Sequence, residues 1–140
     1  MSHHCNNLMI KCMDFRLQGK TLEWLQENGY FGDCDVISNA GSAKVLADGS
    51  PDAKEFILNE IGLSCEKHGV KNIIIIHHSD CGAYTTHDLK TPEEEKAKQL
   101  KDMEIEKSLI KERFPEVTII KVWAQMKDLD GKEVDFQIVQ

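Results

Sequence analysis

Long apolar runs are missing from this sequence of 140 residues. The longest one, from Ile73 to Ile76, is far shorter than the roughly 20 apolar residues that span a bilayer. The first residues, Met1-Ser2-His3-His4, have neither the basic nor the apolar region of a signal peptide. We therefore expect a protein that has no membrane partner and resides in the cytoplasm.

Proline is scarce as well, and acidic residues outnumber basic ones. With three prolines, 41% hydrophobic residues and 29% charged residues, the composition excludes disordered, collagen-like and fibrous classes. The formal net charge is −7, whereas nucleic-acid binders need clustered lysine and arginine to displace counterions. We expect a single domain over 1–140, with 1–6 flexible and with no nucleic-acid partner.

The sequence has no Cys-x-x-Cys pair, so a purely redox protein is the least favoured class. Five cysteines are an odd number, and a reducing compartment disfavours disulfides. Each cysteine is therefore a buried filler, a reactive thiol or a metal ligand. Cys34 at the start of a strand and Cys65 in a helix are typical of buried, inert thiols.

Apolar runs alternate with helical patterns along the chain. Strands are predicted over 8–13, 35–38, 70–77, 117–122 and 134–139, and helices over 21–25, 51–69 and about 92–113. Four consecutive isoleucines suit a central parallel strand, and Asp130-Gly131 indicates a hairpin before the last strand. The pattern predicts an α/β domain with a mostly parallel central β-sheet flanked by helices and an antiparallel C-terminal edge.

The helices are expected to face the core with one apolar stripe each. The expected core residues are Leu22 and Leu25, then Phe56, Ile57, Ile61 and Leu63, then Leu100, Met103, Leu109 and Ile110. Ser50 is the expected N-cap of the second helix, with Pro51 in its first turn. The many charges of the last helix are expected to form a solvated face.

Potential metal ligands lie at the ends of two predicted strands. Cys12 ends the first strand, and His78 and Cys81 follow the strand of isoleucines. Ligands of parallel sheets bind beyond the carboxyl ends of strands, so these side chains could meet. Two thiolates and one imidazole, with a fourth place open, are the ligands expected of a catalytic zinc ion. The adjacent His77 is expected to be a packed or hydrogen-bonded neighbour.

Asp14 and Arg16 follow Cys12 at intervals of two residues. An arginine can hold a carboxylate with two hydrogen bonds and leave it able to accept another from a metal-bound water. The alternative is an ordinary salt bridge at the end of a strand, and the spacing alone favours that alternative. The small residues at 39–43 allow close backbone approach and predict the rim of a site.

Three motifs together resemble the β-class carbonic anhydrases. Cys12-Met13-Asp14-Phe15-Arg16 resembles the Cys-x-Asp-x-Arg motif of that family, and residues 78–83 resemble its His-x-x-Cys-Gly motif. Residues 36–41 are similar to the family's strand and Asn-Ala-Gly loop between those two motifs. His77-His78 resembles the compact, archaeal-type branch. The order and rough spacing of the motifs agree over most of the chain.

The resemblance implies a carbonic anhydrase (carbonate dehydratase, a lyase) that reversibly hydrates CO2 to bicarbonate through a zinc-bound hydroxide. It implies one Zn²⁺ per chain on Cys12, His78 and Cys81, with Asp14 and Arg16 as the catalytic pair. It also implies a homodimer or a multiple of dimers. The residues then expected in the substrate pocket are Phe15, Asn39, Ala40, Gly41 and Gly82.

Two departures from the family pattern keep other functions open. Phe15 stands where the family has serine, and Ser38 stands where it has arginine. One alternative is a zinc-containing relative with a changed substrate, such as a CS2-like hydrolase. Another is a catalytically inactive scaffold that binds zinc or bicarbonate.

Overall fold

The computed structural model describes residues 3–85 and 89–140. The strands are β1 (Asn7–Cys12), β2 (Cys34–Asn39), β3 (Asn72–His78), β4 (Thr118–Met126) and β5 (Val134–Val139). The helices are α1 (Gln18–Glu27), α2 (Lys44–Asp48), α3 (Pro51–His68) and α4 (Pro92–Arg113), and a 3-10 turn covers Phe15–Leu17. The short helix α2 was not predicted from the sequence.

The five strands form one sheet in the order β2-β1-β3-β4-β5. All neighbours run parallel except β4 and β5, which are antiparallel. Ile73, Ile74 and Ile75 are fully buried in the middle strand β3. Helices α2, α3 and α4 cover one face of the sheet, and α1 covers the other. The predicted fold class, with its antiparallel C-terminal edge, is confirmed.

Alternate residues of each strand supply two cores on opposite faces of the sheet. Leu8, Ile10 and Ile75 pack with α2, α3 and α4 on one face. Met9 and Ile74 pack on the other face with Leu25 of α1 and with side chains of β5. Trp24 of α1 stacks on Phe136 of β5 at a ring-centroid distance of 5.6 Å. Both faces of the sheet are therefore covered by packed side chains.

Helix α3 begins and ends as its sequence predicts. The Ser50 hydroxyl accepts a hydrogen bond from the backbone N–H of Ala53, and Pro51 is the first helical residue. Gly69 ends the helix at φ 70°, a left-handed conformation that glycine adopts without a steric penalty.

Some predicted core positions of the helices are wrong. Ile57, Ile61, Met103 and Ile110 are buried as expected, but Leu22, Phe56 and Leu63 are 44%, 65% and 58% exposed. Their neighbours Thr21, Ile57 and Ser64 take the inward positions instead. The charges of α4 are also not all solvated, because Asp102 and Glu106 are buried against polar partners.

The segment before β1 is attached to the rest of the domain. The backbone N–H of Cys5 donates to the carbonyl of His68, and that of Asn6 donates to the Asp33 carboxylate. Residues 1 and 2 lie outside the described part of the chain, and the flexibility expected of 1–6 stays a prediction. Within 3–85 and 89–140, no helix has the length and apolar character needed to cross a membrane.

Candidate metal centre

Cys12, His78 and Cys81 meet at one edge of the sheet. Cys12 is the last residue of β1, His78 is the last residue of the neighbouring strand β3, and Cys81 follows in the next turn. One ligand atom from each lies within 4.8 Å of the others, and all three side chains are buried. The two Sγ atoms are 4.0 Å apart. The sequence-predicted ligands are thus brought together by the parallel order of their strands.

The imidazole of His78 has a free nitrogen that faces this group. Its Nδ1–H donates to the carbonyl of Ser79 at 2.6 Å, which leaves the lone pair on Nε2. That Nε2 atom is buried and has no hydrogen-bond partner. A buried nitrogen without a partner is costly, and a metal ion would satisfy it. The orientation of the ring therefore fits a metal ligand.

The two thiols of the centre shift each other's pKa in opposite directions. A hydrogen bond from Cys81 lowers the pKa of Cys12, although burial opposes this, while the pKa of Cys81 is raised. The backbone N–H groups of Asp14 and Gly41 also donate toward the Cys12 sulfur. The lowered pKa of Cys12 favours its thiolate form, which is the form that binds a metal ion.

The donor set and its spacing fit zinc. Zn–S bonds of about 2.3 Å place two sulfur atoms about 3.8 Å apart in a tetrahedral site, close to the 4.0 Å between Cys12 and Cys81. Thiolate and imidazole are the ligands that zinc prefers, whereas magnesium and calcium prefer oxygen. Three protein ligands leave a fourth position for water or substrate, as catalytic zinc sites do.

Arg16 holds the carboxylate of Asp14 beside these ligands. The Nε and Nη2 atoms of Arg16 donate to Asp14 Oδ1 at 3.1 Å and Oδ2 at 2.7 Å. These hydrogen bonds lower the pKa of Asp14, so the carboxylate is ionised. Its Oδ2 atom lies 3.9 Å from the free Nε2 of His78. The pair is therefore more than a remote surface salt bridge.

The sequence did not predict which acceptors the remaining N–H groups of Arg16 bind. Arg16 Nη1 donates to Asp80 Oδ2 at 3.0 Å and to the Leu129 carbonyl at 3.2 Å, and Nη2 donates to the Asp80 carbonyl at 3.0 Å. With the two bonds to Asp14, every one of the guanidinium's five N–H groups has an acceptor. Gly131 packs so closely that a Cβ there would lie 2.3 Å from the Arg16 carbonyl. The guanidinium is thus fixed from three segments of the chain.

The predicted pocket residues lie at different depths. Asn39 is opposite Cys12 in the sheet, and its buried Nδ2 atom has no hydrogen-bond partner. Gly41 is buried at φ 77°, and a Cβ there would lie 3.0 Å from the Ala83 Cβ. Ala40 and Gly82 are exposed, and the Phe15 side chain is 85% exposed. The structure therefore brings Asn39 and Gly41 against the ligand loops and leaves the Phe15 ring at the surface.

Behind the ligands, His77 is buried in a charged hydrogen-bond network. Its Nδ1 lies 2.9 Å from Gln99 Oε1, and its Nε2 lies 2.9 Å from Glu106 Oε1. The Gln99 amide nitrogen donates to the His78 carbonyl, which fixes Oε1 toward His77. Both ring nitrogens of His77 therefore lie within hydrogen-bond distance of a side-chain oxygen. Burial alone would lower the pKa of His77, but the Glu106 carboxylate raises it.

The sequence carries a signal for this network, although the charges of α4 predicted a solvated face. Glu95, Gln99, Asp102 and Glu106 recur at intervals of three or four residues, which places them on one face of α4. Glu95 accepts hydrogen bonds from the backbone N–H groups of Asp80 and Cys81. Side chains of this face of α4 therefore hold the turn that carries His78 and Cys81.

The architecture of this protein is shared with solved structures of other proteins. It resembles β-carbonic anhydrase isoform I of Trichomonas vaginalis, with a TM-score of 0.62 and 18% identity over 98% of this chain and 84% of that chain. It also resembles a structure from a study of two tetrameric β-carbonic anhydrases of Sordaria macrospora. The TM-score is 0.59 and the identity is 15%, over 99% of this chain and 84% of that chain. At these identities the likeness shows the fold alone.

Comparison of the amino-acid sequence with family models shows which family this chain belongs to. The model of the family described as "Putative carbonic anhydrase" matches residues 2–135, and the chain belongs to this family. An uncharacterized protein of Rickettsia conorii is 30% identical over 134 residues, which cover 92% of this chain and 70% of that protein. The resemblance to carbonic anhydrases is confirmed, and the placement in an archaeal-type branch stays a prediction.

Proposed function

We propose that this protein hydrates CO2 reversibly to bicarbonate, with one zinc ion held by Cys12, His78 and Cys81. The observation that carries the proposal is the buried Nε2 of His78, without a hydrogen-bond partner, beside two thiols whose Sγ atoms are 4.0 Å apart. A zinc ion bound there would act as a Lewis acid that makes a water molecule nucleophilic toward CO2 near neutral pH. The membership in a carbonic anhydrase family supports the same substrate.

In this proposal Asp14 acts as the hydrogen-bond acceptor for the attacking water. Its Oδ2 atom is 3.9 Å from His78 Nε2 and has lone pairs beyond the one used by Arg16. Arg16 keeps the carboxylate ionised and prevents it from rotating toward the ligands. Asp80 and Leu129 in turn fix the guanidinium, so the carboxylate is positioned before substrate arrives.

Substitutions of the pair test this role. We expect Asp14→Asn, which keeps the shape and removes the charge, and Arg16→Ala, which frees the carboxylate, to lower CO2 hydration by about 10- to 100-fold. The zinc content should be unchanged, because neither residue is a ligand. Stopped-flow hydration and elemental analysis of the same samples measure both quantities.

The matched controls are Asp52→Asn and Arg113→Ala, which change exposed residues of α3 and α4. Both controls should hydrate CO2 at the wild-type rate. An active wild-type enzyme whose rate is the same after Asp14→Asn and Arg16→Ala would contradict the proposed role of the pair.

The two alternatives share the zinc site and differ in turnover. The positions that depart from the family pattern, Phe15 and Ser38, are both exposed, so a changed substrate preference would act at the rim of the site. Zinc-loaded protein assayed with CO2 and CS2 separates the possibilities. Turnover of CS2 alone indicates the changed substrate, and turnover of neither indicates an inactive scaffold that binds zinc or bicarbonate.

We also propose a homodimer or a multiple of dimers. Among the described residues β2 is an edge strand whose one neighbour is β1, and its Val36 side chain is 49% exposed. Met13 and Phe15, beside the site, are 63% and 85% exposed. Apolar groups and an open strand edge favour contact with a second copy. Light scattering at micromolar concentration should give a dimer or a multiple of it, and a monomer would contradict the proposal.

The proposed compartment is the cytoplasm. The five cysteines are free, and Cys12 and Cys81 must stay reduced to bind a metal ion.

A further inference from the structure

We propose a second zinc site, formed by Cys5, Asp35 and His68 at the opposite edge of the sheet. One ligand atom from each residue lies within 4.8 Å of the other two. The three residues come from separate segments: the residues before β1, the strand β2 and the last residue of α3. Their convergence depends on the tertiary fold and is not visible as a sequence motif.

This site is independent of the first one. Cys5 precedes β1 and Cys12 ends it, so the two clusters are separated by about the length of the strand, roughly 20 Å at 3.3 Å per residue. The two clusters share no residue. Loss of one metal ion therefore leaves the ligands of the other in place.

The ligand side chains are already oriented toward each other. His68 Nδ1 lies 2.6 Å from Asp35 Oδ2, and the Ser64 hydroxyl donates to the same oxygen at 2.7 Å. The backbone N–H of Cys5 donates to the His68 carbonyl at 3.0 Å, which holds the thiol beside them. A cation would replace the proton between His68 and Asp35 and the proton of the Cys5 thiol.

Further donors border the same space. A cavity of about 310 Å³ is lined by His3 and His4 together with the three ligands. The His3 ring centroid is 5.7 Å from that of His68. The two histidines thus border the cavity, outside the group of three ligand atoms. Cys34, which lines the cavity too, has a pKa raised by burial to about 11.

The chemistry of the donors selects the ion. One thiolate, one carboxylate and one or more imidazoles suit zinc, whereas calcium and magnesium favour sites made of oxygen atoms. The three protein ligands leave a fourth position for water or for one of the bordering histidines. Bound zinc would tie the segment before β1 to β2 and to the end of α3, and it would stabilise the folded chain by mass action.

The test uses the full chain with the first centre disabled by His78→Ala and Cys81→Ser. Zinc is titrated into this reduced protein in competition with a chromophoric chelator. We expect one zinc per chain with submicromolar affinity. Adding His68→Gln, which keeps a hydrogen-bonding amide near Asp35, should weaken binding by more than the ~10- to 100-fold typical of residues behind the ligands. Cys65→Ser, which changes a half-buried thiol of α3 outside the cluster, should leave the affinity unchanged.

Two further measurements identify the ligands. Cobalt(II) bound to the same protein should show a thiolate charge-transfer band that Cys5→Ser removes. Zinc should raise the midpoint of thermal unfolding, and it should not do so after His68→Gln.

The proposal is overturned if the protein with the first centre disabled binds no zinc at micromolar concentration. It is also overturned if binding survives His68→Gln and Cys5→Ser but is lost after His3→Ala and His4→Ala, because the terminal histidines would then chelate zinc alone. Since the first centre is absent throughout, neither result depends on the proposed CO2 hydration.

Discussion

Replacing Cys81 with serine, or His78 with alanine, should lower the zinc content by about one ion per chain and reduce CO2 hydration to the background rate. The sulfur of Cys81 and the unpartnered Nε2 of His78 are two of the three donors at the centre. Serine is a poor zinc ligand because its hydroxyl stays protonated, and alanine supplies no donor. The remaining pair of donors is too few to hold the ion tightly.

Cys65→Ser is the matched control, since Cys65 is a free thiol outside both clusters. It should keep the wild-type zinc content and rate. Elemental analysis after gel filtration in a reducing buffer, together with stopped-flow hydration, gives the comparison. Full zinc content in both Cys81→Ser and His78→Ala would show that the ion is held elsewhere.

Glu106→Ala should destabilise the metal-free protein by about 3–5 kcal/mol, the cost of removing one partner from a buried ion pair. Glu106 and His77 are both fully buried, and each ring nitrogen of His77 faces an acceptor. Removing the carboxylate leaves the buried Nε2 of His77 without its partner and a cavity beside the ring. Glu106→Gln, which keeps an acceptor for His77, should cost less.

Urea unfolding in the presence of a chelator measures this effect without a contribution from zinc binding. The control is Glu112→Ala, an exposed glutamate of the same helix, which should change the free energy of unfolding by less than about 0.5 kcal/mol. A loss for Glu106→Ala no larger than that of the control would mean that the buried pair contributes nothing to stability.

The ligands of the first centre were predictable because one rule of topology connects them. Cys12 and His78 end two apolar runs, and the carboxyl ends of neighbouring parallel strands meet at one edge of the sheet. The central strand was equally clear, since four isoleucines have no other suitable place in a domain of this size.

The contacts that fix Arg16 were not predictable. Asp80 and Leu129 are 64 and 113 residues away in the chain, and no local pattern relates either to Arg16. The second cluster was equally unpredictable, because Cys5, Asp35 and His68 meet only when β1, β2 and α3 are assembled. Such contacts depend on backbone positions that the periodicity of the sequence does not specify.

Helix faces were predicted only in part. Phe56 and Ile57 are adjacent apolar residues, and hydrophobicity alone does not tell which one faces the core. The structure buries Ile57 and leaves Phe56 65% exposed. In α4 the charge of Glu106 suggested solvent, but the buried His77 on the preceding strand β3 reversed the preference.

The most direct test of the proposed function follows CO2 hydration while metal-free protein is loaded with zinc in steps, with Cys81→Ser measured in parallel. We expect the stopped-flow rate to rise in proportion to the zinc that binds wild-type protein but not the variant, and to level off when that centre is full. A wild-type protein that binds this zinc completely and hydrates CO2 no faster than the buffer would contradict the account.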